Sequence, residues 1–395
     1  MISIPSELYL QKIEDLYSQL PANRLEEPLI IQLPAEVKEV TISALPSVLQ
    51  FLVTASRDYK VALQSRYSES DDKEKILKAA KSYLWYIMSS LHWLDDFTLQ
   101  TGQSLKKDIR PVNAEINELM RNYLPVGSSY MMTCFDHLPP NKGLLKMFYN
   151  PPNYELVDEY AIENYISLII SHLGEKLSKS VFKQLHELLK PLTAIIYELF
   201  KNTDDWATKD RFGNKIEPGV RAIYFKYFKN FRDKFTEYCD NNKNLTRYFQ
   251  HELHKEDNEG KLSFLEISVM DSGDGFVAKR MGKNYDESMT IEEEVKIVKD
   301  CLTKYFTNAT GKQAILKGFG LDRVLKTIDK KGFIRIRTNR VSVCRDMVAS
   351  SYQPDSEAEN ILLNDWTTQS STEFQACSRA KGTVITIVLP LENPQ

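Results

Sequence analysis

Three groups of residues carry the chemistry of this chain. In ELFKNTDDWA at 198–207, Glu198, Asn202 and Asp205 fall at i, i+4 and i+7, which is one face of a helix. Carboxylates and an amide pointing jointly off that face suit a hard cation and the phosphates that accompany it. In VMDSGDGF at 269–276, Asp271 ends the alternating run Leu262-Ser263-Phe264-Leu265-Glu266-Ile267-Ser268-Val269 and is followed by Gly273 and Gly275. A strand-end aspartate can accept a hydrogen bond from an exocyclic amine such as that of adenine, and a charge-assisted bond of this kind is worth ~1.5–3 kcal/mol. In KGFGLDRVLKTI at 317–328, Gly318 and Gly320 precede a helical pattern of Leu321, Val324, Leu325 and Ile328. A glycine turn that opens a helix presents free N–H groups and the positive end of the helix dipole to phosphate.

In this order the segments resemble the GHKL ATPases, whose Bergerat nucleotide-binding fold is shared by the heat-shock chaperone ATPase domain, gyrase, mismatch-repair MutL and the histidine kinases. The family's N-box matches Glu198, Asn202 and Asp205, its adenine-binding D-x-G-x-G matches Asp271 to Gly275, and its glycine-rich lid hinge matches Gly318-Phe319-Gly320-Leu321. A closing strand, KGTVITIVLPL at 381–391, carries the Gly382-Thr383 pair whose threonine, by the resemblance, supports the adenine aspartate through water. The likeness covers roughly residues 190–391. Glycine pairs alone usually mark turns, so the weight lies in four motifs keeping the family's order. Two departures are local: Trp206 separates Asp205 from Ala207, and Phe319 stands inside the glycine turn.

The resemblance implies an α+β chain with a C-terminal Bergerat-type α/β sandwich, in which a mixed sheet is covered by helices on one face. It implies ATP and Mg²⁺ as ligands. Asn202 would hold the metal, Asp271 would read adenine, and the Gly318–Gly320 turn with Leu321 would cradle phosphates. Glu198 stands where chaperone-like and MutL-like members place a general base. Residues 276–317 span the lid, and Lys312 and Lys317 flank its return, either as phosphate ligands or as solvated lysines. The expected activity is Mg-dependent ATP binding with slow hydrolysis that drives a conformational switch. Such domains usually serve a multi-protein assembly, which extends to bacterial defence or a DNA transaction. The alternative is a nucleotide-gated interaction module that binds ATP or ADP without turnover.

A histidine protein kinase fits less well. His186-Glu187-Leu188-Leu189-Lys190-Pro191 looks like a phosphoacceptor box, but His186 lies only 16 residues before Asn202, or about 24 Å of continuous helix, which leaves no room for a dimerisation hairpin. Direct nucleic-acid binding rests on Arg323, Lys326, Lys330, Lys331, Arg335, Arg337, Arg340 and Arg345 lying close in sequence. With a net charge of −3 and interspersed acids, that cluster reads more simply as a solvated face.

The elements that must position these residues divide the 395-residue chain into a mostly helical region at 1–175 and the ATP-binding domain at 176–395. The first region reads as a strand at 29–33 and helices near 44–57, 72–97, 104–123 and 158–172. Trp85, Tyr86, Trp93 and Phe97 crowd one stretch of it, as core or as a partner face. The second region reads as the N-box helix, strands at 220–228, 262–269, 332–340, 341–347 and 381–391, and a helical insertion near 229–252. The chain ends at Gln395, soon after the last strand, so output is expected to pass through the N-terminal region, a homodimer or a separate partner chain. No stretch of ~18 apolar residues or secretory leader is apparent, and five cysteines lack C-x-x-C spacing, which leads to the expectation of a cytoplasmic protein with reduced thiols and no membrane contact.

Overall fold

A computed structural model describes residues 1–391 except 24–25, 69, 94, 175–178, 304–319 and 355–356. Its frame is a seven-stranded sheet built from β5 (Ser129–Phe135), β6 (Val220–Phe231), β7 (Lys261–Asp271), β8 (Phe333–Asn339), β9 (Val341–Asp346), β10 (Asn364–Asp365) and β11 (Ala380–Pro390). Their spatial order is β10-β9-β8-β11-β7-β6-β5, and every neighbouring pair is antiparallel. The expected mixed sheet is therefore corrected to an antiparallel one. Its edge strand β5 comes from the N-terminal region, so the sheet draws on both sides of the 175/176 division.

The N-terminal region, expected to be mostly helical, also contains strands. It holds a four-stranded parallel sheet of β1 (Ile2–Ser3), β2 (Leu29–Leu33), β3 (Val61–Ser65) and β4 (Phe97–Thr98). Three of these are too short, or too close to helical stretches, to show a strand period of their own. Helix α2 (Ala44–Asp58) connects β2 to β3 and is buried at every position from Ala44 to Ser56. The expected helix at 72–97 divides into α3 (Lys73–Ala80) and α4 (Tyr83–Leu91), with Ser82 capping the second. Trp85, Tyr86 and Phe97 are core residues.

Helices cover both faces of the large sheet, not one. On β6, Arg221 bonds to Asp204 of α8 (Leu189–Ala207), whereas Tyr224 and Lys226 bond to Glu39, which precedes α2. Odd and even strand positions point to opposite faces, so α8 and α2 lie on opposite sides. The α8 face is aliphatic, with Ile267, Val269, Ile334, Ile336, Ile385 and Ile387 buried. Toward α2 the sheet presents Glu266, Ser268, Arg335, Arg337 and Thr386, also buried. Ser43, just before α2, donates its N–H to Glu266 at 3.1 Å and accepts from Arg335 and Thr386 at 3.1 and 2.7 Å. Arg337 forms a double ion pair with Glu14 of α1 (Leu10–Tyr17). A polar layer of this kind imitates a solvent face in sequence, which explains the one-sided expectation. Among the described residues no helix is long and apolar enough to cross a membrane, and the five cysteines are free thiols.

Candidate functional site

The α8 helix forms because Leu192, Ile195, Ile196, Leu199, Phe200 and Thr203 make a buried stripe at helical spacing. Glu198, Asn202 and Asp205 run along the half-buried strip beside it. The far end of α8 meets the loop after β7: a side chain on Gly273 would meet the Ala207 Cβ at 2.9 Å.

Asp271 ends β7 with its carboxylate accepting from the Gly273 N–H at 2.7 Å. Burial pushes its pKa up to about 6, opposed by the main-chain N–H groups of Gly273 and Thr383 and by the charges of Arg221 and Arg57. The 271–275 loop is clamped from several elements. The Gly382 N–H donates to the Gly273 carbonyl at 2.6 Å. A Cβ on Gly382 would stand 1.8 Å from the Asp271 carbonyl oxygen, and its φ of +70° excludes most other residues. Gly275, at φ +82°, packs on Asn339, whose amide donates to the Asp274 carbonyl at 2.8 Å and accepts from the Val277 N–H at 3.0 Å. Asn339 is free to do this because the β8–β11 register shifts between Thr338 and Asn339. The Thr383 hydroxyl pairs with that of Thr338 at 3.0 Å.

The phosphate-side residues converge as well. Gly320 opens α12 (Gly320–Thr327) so close to α8 that an added Cβ would lie 3.0 Å from Glu198 Oε2 and 3.4 Å from Asn202 Nδ2. The other Glu198 oxygen accepts from Arg323 at 2.9 Å. Arg323 also grips Glu159, the first residue of α6 (Glu159–Gly174), through two bonds of 2.6 and 2.7 Å. Leu321 is buried beneath this turn. Lys312, Lys317, Gly318 and Phe319 lie outside the described residues.

Two contributors were missed in the sequence. Arg57, near the end of α2, donates to the Ser272 and Gly273 carbonyls at 2.8 and 2.7 Å and to the Asp274 carboxylate at 3.0 Å. Arg323 was counted only in a basic cluster. That cluster is not one continuous surface: Arg335, Arg337 and Arg345 are buried and Arg323 and Arg340 are paired with acids, while Lys326 and Lys330 are exposed. Neither role had a local signal, since each partner lies far away in sequence.

The expected lid at 276–317 lies partly within the described residues. Residues up to 303 include α10 (Phe276–Met281) and α11 (Ile291–Cys301), the latter opened by a capping box between Thr290 and Glu293. The α11 helix buries Val295 and Val298 and anchors Glu294 to Arg340 at 2.7 Å, so this part is packed structure; residues 304–317 lie outside the described residues. His186 is exposed, with its ring edge-on to Phe182. Among the described residues no group of three or more His, Cys, Asp or Glu could hold a metal ion by itself. Any Mg²⁺ here would depend on Asn202 together with ligand phosphates, which is the usual manner of Mg²⁺ at nucleotide sites.

No protein-family model, curated protein or solved structure gives a significant match to the chain.

Proposed function

We propose that the chain binds Mg-ATP in a GHKL-type site and hydrolyses it slowly to drive a conformational switch. The observation that carries this reading is convergence on α8: Gly273, bonded to Asp271, meets Ala207 at the end of that helix, and Gly320 meets Glu198 and Asn202 nearer its middle, so segments distant in sequence border one helix. Asp271 accepts from the adenine amine. Asn202, together with the phosphates, would hold Mg²⁺, and the chemistry it would supply is neutralisation of charge on the phosphoryl oxygens. Glu198 takes a proton from the attacking water as the new O–P bond forms; the bond from the γ-phosphorus to the β,γ-bridging oxygen breaks, and ADP and phosphate leave. Asp205 and Thr383 support the two ends from α8 and β11.

The second reading, a nucleotide-gated module without turnover, is favoured by one observation: one oxygen of Glu198, the candidate base, is already taken up by Arg323. Both readings require adenine recognition by Asp271. Titration calorimetry with Mg-ATP is expected to show binding that Asp271→Asn abolishes while the melting temperature stays near wild type, because the amide keeps the size but loses the charged acceptor. GTP, with a carbonyl in place of the amine, should bind much more weakly. Unchanged ATP affinity in the variant would remove the assignment. Turnover measured on the same preparation separates the two readings.

A further inference from the structure

Arg323, on α12, ties together two helices that also pack along each other. Its guanidinium spans Glu159, at the start of α6, and Glu198, the candidate base on α8. The three side chains are 41%, 31% and 14% exposed respectively, so the bonds are made at the edge of the site and can exchange for others. Glu198 is bifacial: one oxygen takes the Arg323 bond, and the other faces Gly320 and Asn202. The guanidinium is therefore separated by a single carboxylate from the place where phosphates would meet the metal amide. Its planar fork of donors matches phosphate as well as it matches carboxylate.

Resting on the nucleotide reading above, we propose that Arg323 is a latch: without ATP it holds Glu198 and Glu159 together, and the terminal phosphate of ATP draws it off both. The exchange has two consequences. Glu198 is freed to act on water only when a triphosphate is present, and α6 loses its bidentate tie to α12. Binding at the site then reaches the N-terminal region through a named contact. The α6 helix packs along α8, so a change at Glu159 acts on an element shared by the site and that region.

The latch has a signature that a structural ion pair lacks, because its two halves oppose each other in ATP binding. Glu159→Gln removes competition for Arg323, so it should tighten a non-hydrolysable ATP analogue about 2- to 5-fold and leave ADP unchanged. Arg323→Gln removes the phosphate ligand, so it should weaken the analogue about 10- to 100-fold and again leave ADP nearly unchanged. The measurement is calorimetry of the full chain with the Mg-analogue and with Mg-ADP, beside thermal melting of each variant. Shifts in the same direction for both variants, or equal shifts for analogue and ADP, overturn the latch. If Arg323→Gln does not fold, Arg323→Lys decides the matter. It keeps a charge for phosphate but cannot span two carboxylates, so it should follow Glu159→Gln, and wild-type affinities for both nucleotides would overturn the proposal. A wild-type chain that binds neither nucleotide removes the nucleotide reading and the latch with it. A wild type that prefers the analogue, with variants that move together, removes the latch alone.

Discussion

The two ends of the candidate site are built in opposite ways. Around Asp271 almost every bond is made by backbone or by a largely buried side chain: Gly382, Asn339 and Arg57 hold one loop from three different elements. Around Glu198 the contacts are between charged side chains that remain partly exposed. A loop fixed during folding recognises a rigid ligand such as a purine without further ordering cost. Ion pairs at the edge of solvent are worth little individually and can be rearranged. The adenine end is thus suited to selection, and the phosphate end to response.

The largest expected effect tests this contrast with one substitution on each side. Gly382→Ala would force a Cβ to within 1.8 Å of the Asp271 carbonyl oxygen, a backbone atom that cannot move alone. It should cost about 2–4 kcal/mol of stability and eliminate nucleotide binding. Gly320→Ala would place its Cβ 3.0 Å from Glu198 Oε2, the tip of a side chain that can shift. Its cost should stay within about 1 kcal/mol. Thermal melting reads both, and the reverse order of destabilisation would break the comparison.

Glu198→Ala comes next. If Glu198 is the general base, turnover should fall by a factor of roughly 10²–10⁴ while ATP affinity stays within about threefold. Single-turnover hydrolysis beside calorimetry separates the outcomes. A parallel fall in affinity and turnover would assign Glu198 to the metal's water shell, and a wild type without turnover would favour the non-hydrolysing reading.

Much of the site was legible because its motifs are local. Glu198, Asn202 and Asp205 share a helix, and Asp271 and its glycines occupy five consecutive positions after a strand whose alternation is plain. The strands expected at 220–228 and 332–340 were likewise visible in sequence, and they are seen at Val220–Phe231 and Phe333–Asn339. What failed was every inference that needed to know which face a polar residue meets. Arg335 and Arg337 alternate with Ile334 and Ile336 as solvent residues do, yet α1 and α2 cover them. Strand β5 pairs with β6 across a separation of 87 positions from Cys134 to Arg221, where no turn motif marks the partnership.

Arg57 is the missed residue with the clearest consequence. It and Asp274 are only 13% and 8% exposed at the side chain, and its other bonds go to two carbonyls of the recognition loop. Asp274 keeps the Arg211 N–H when the arginine is removed, so the loop should loosen and not unfold. Arg57→Ala is expected to lower ATP affinity about tenfold while hydrolysis of bound ATP is unchanged. Lysine should not restore it, since a point charge cannot serve two carbonyls and a carboxylate together. A variant that instead lowered turnover at saturating ATP would place Arg57 with the phosphate end and blur the division drawn here.

The last effect concerns protons on β7, where Asp271 faces the site and Glu266 faces α2. Burial raises Asp271 from 3.8 to about 6 and Glu266 from 4.5 to about 7, the latter against the Ser43 N–H and Ser268 hydroxyl that favour its charge. In both cases the folded pKa exceeds the unfolded one, so between the two values the native state holds more protons. The stabilising contribution is then fully present below the unfolded pKa and is lost as pH rises through about 6 and about 7, the opposite of an ordinary salt-bridged carboxylate. Other acids, such as Asp257 with Lys229, are lowered and slope the other way, so the total profile is mixed and the difference between variants is the useful quantity. Glu266→Gln cannot ionise, and relative to wild type it should gain roughly 2–3 kcal/mol of stability between pH 5 and pH 8. ATP affinity has a separate dependence: it should fall as pH drops through about 6, because the adenine amine needs the Asp271 carboxylate. Denaturant melts across that range, paired with calorimetry, distinguish the two carboxyls. A flat stability difference for Glu266→Gln would mean that Ser43 and Ser268 already hold Glu266 as an anion, leaving Asp271 as the proton-sensitive group of the strand and confining pH sensitivity to the adenine end.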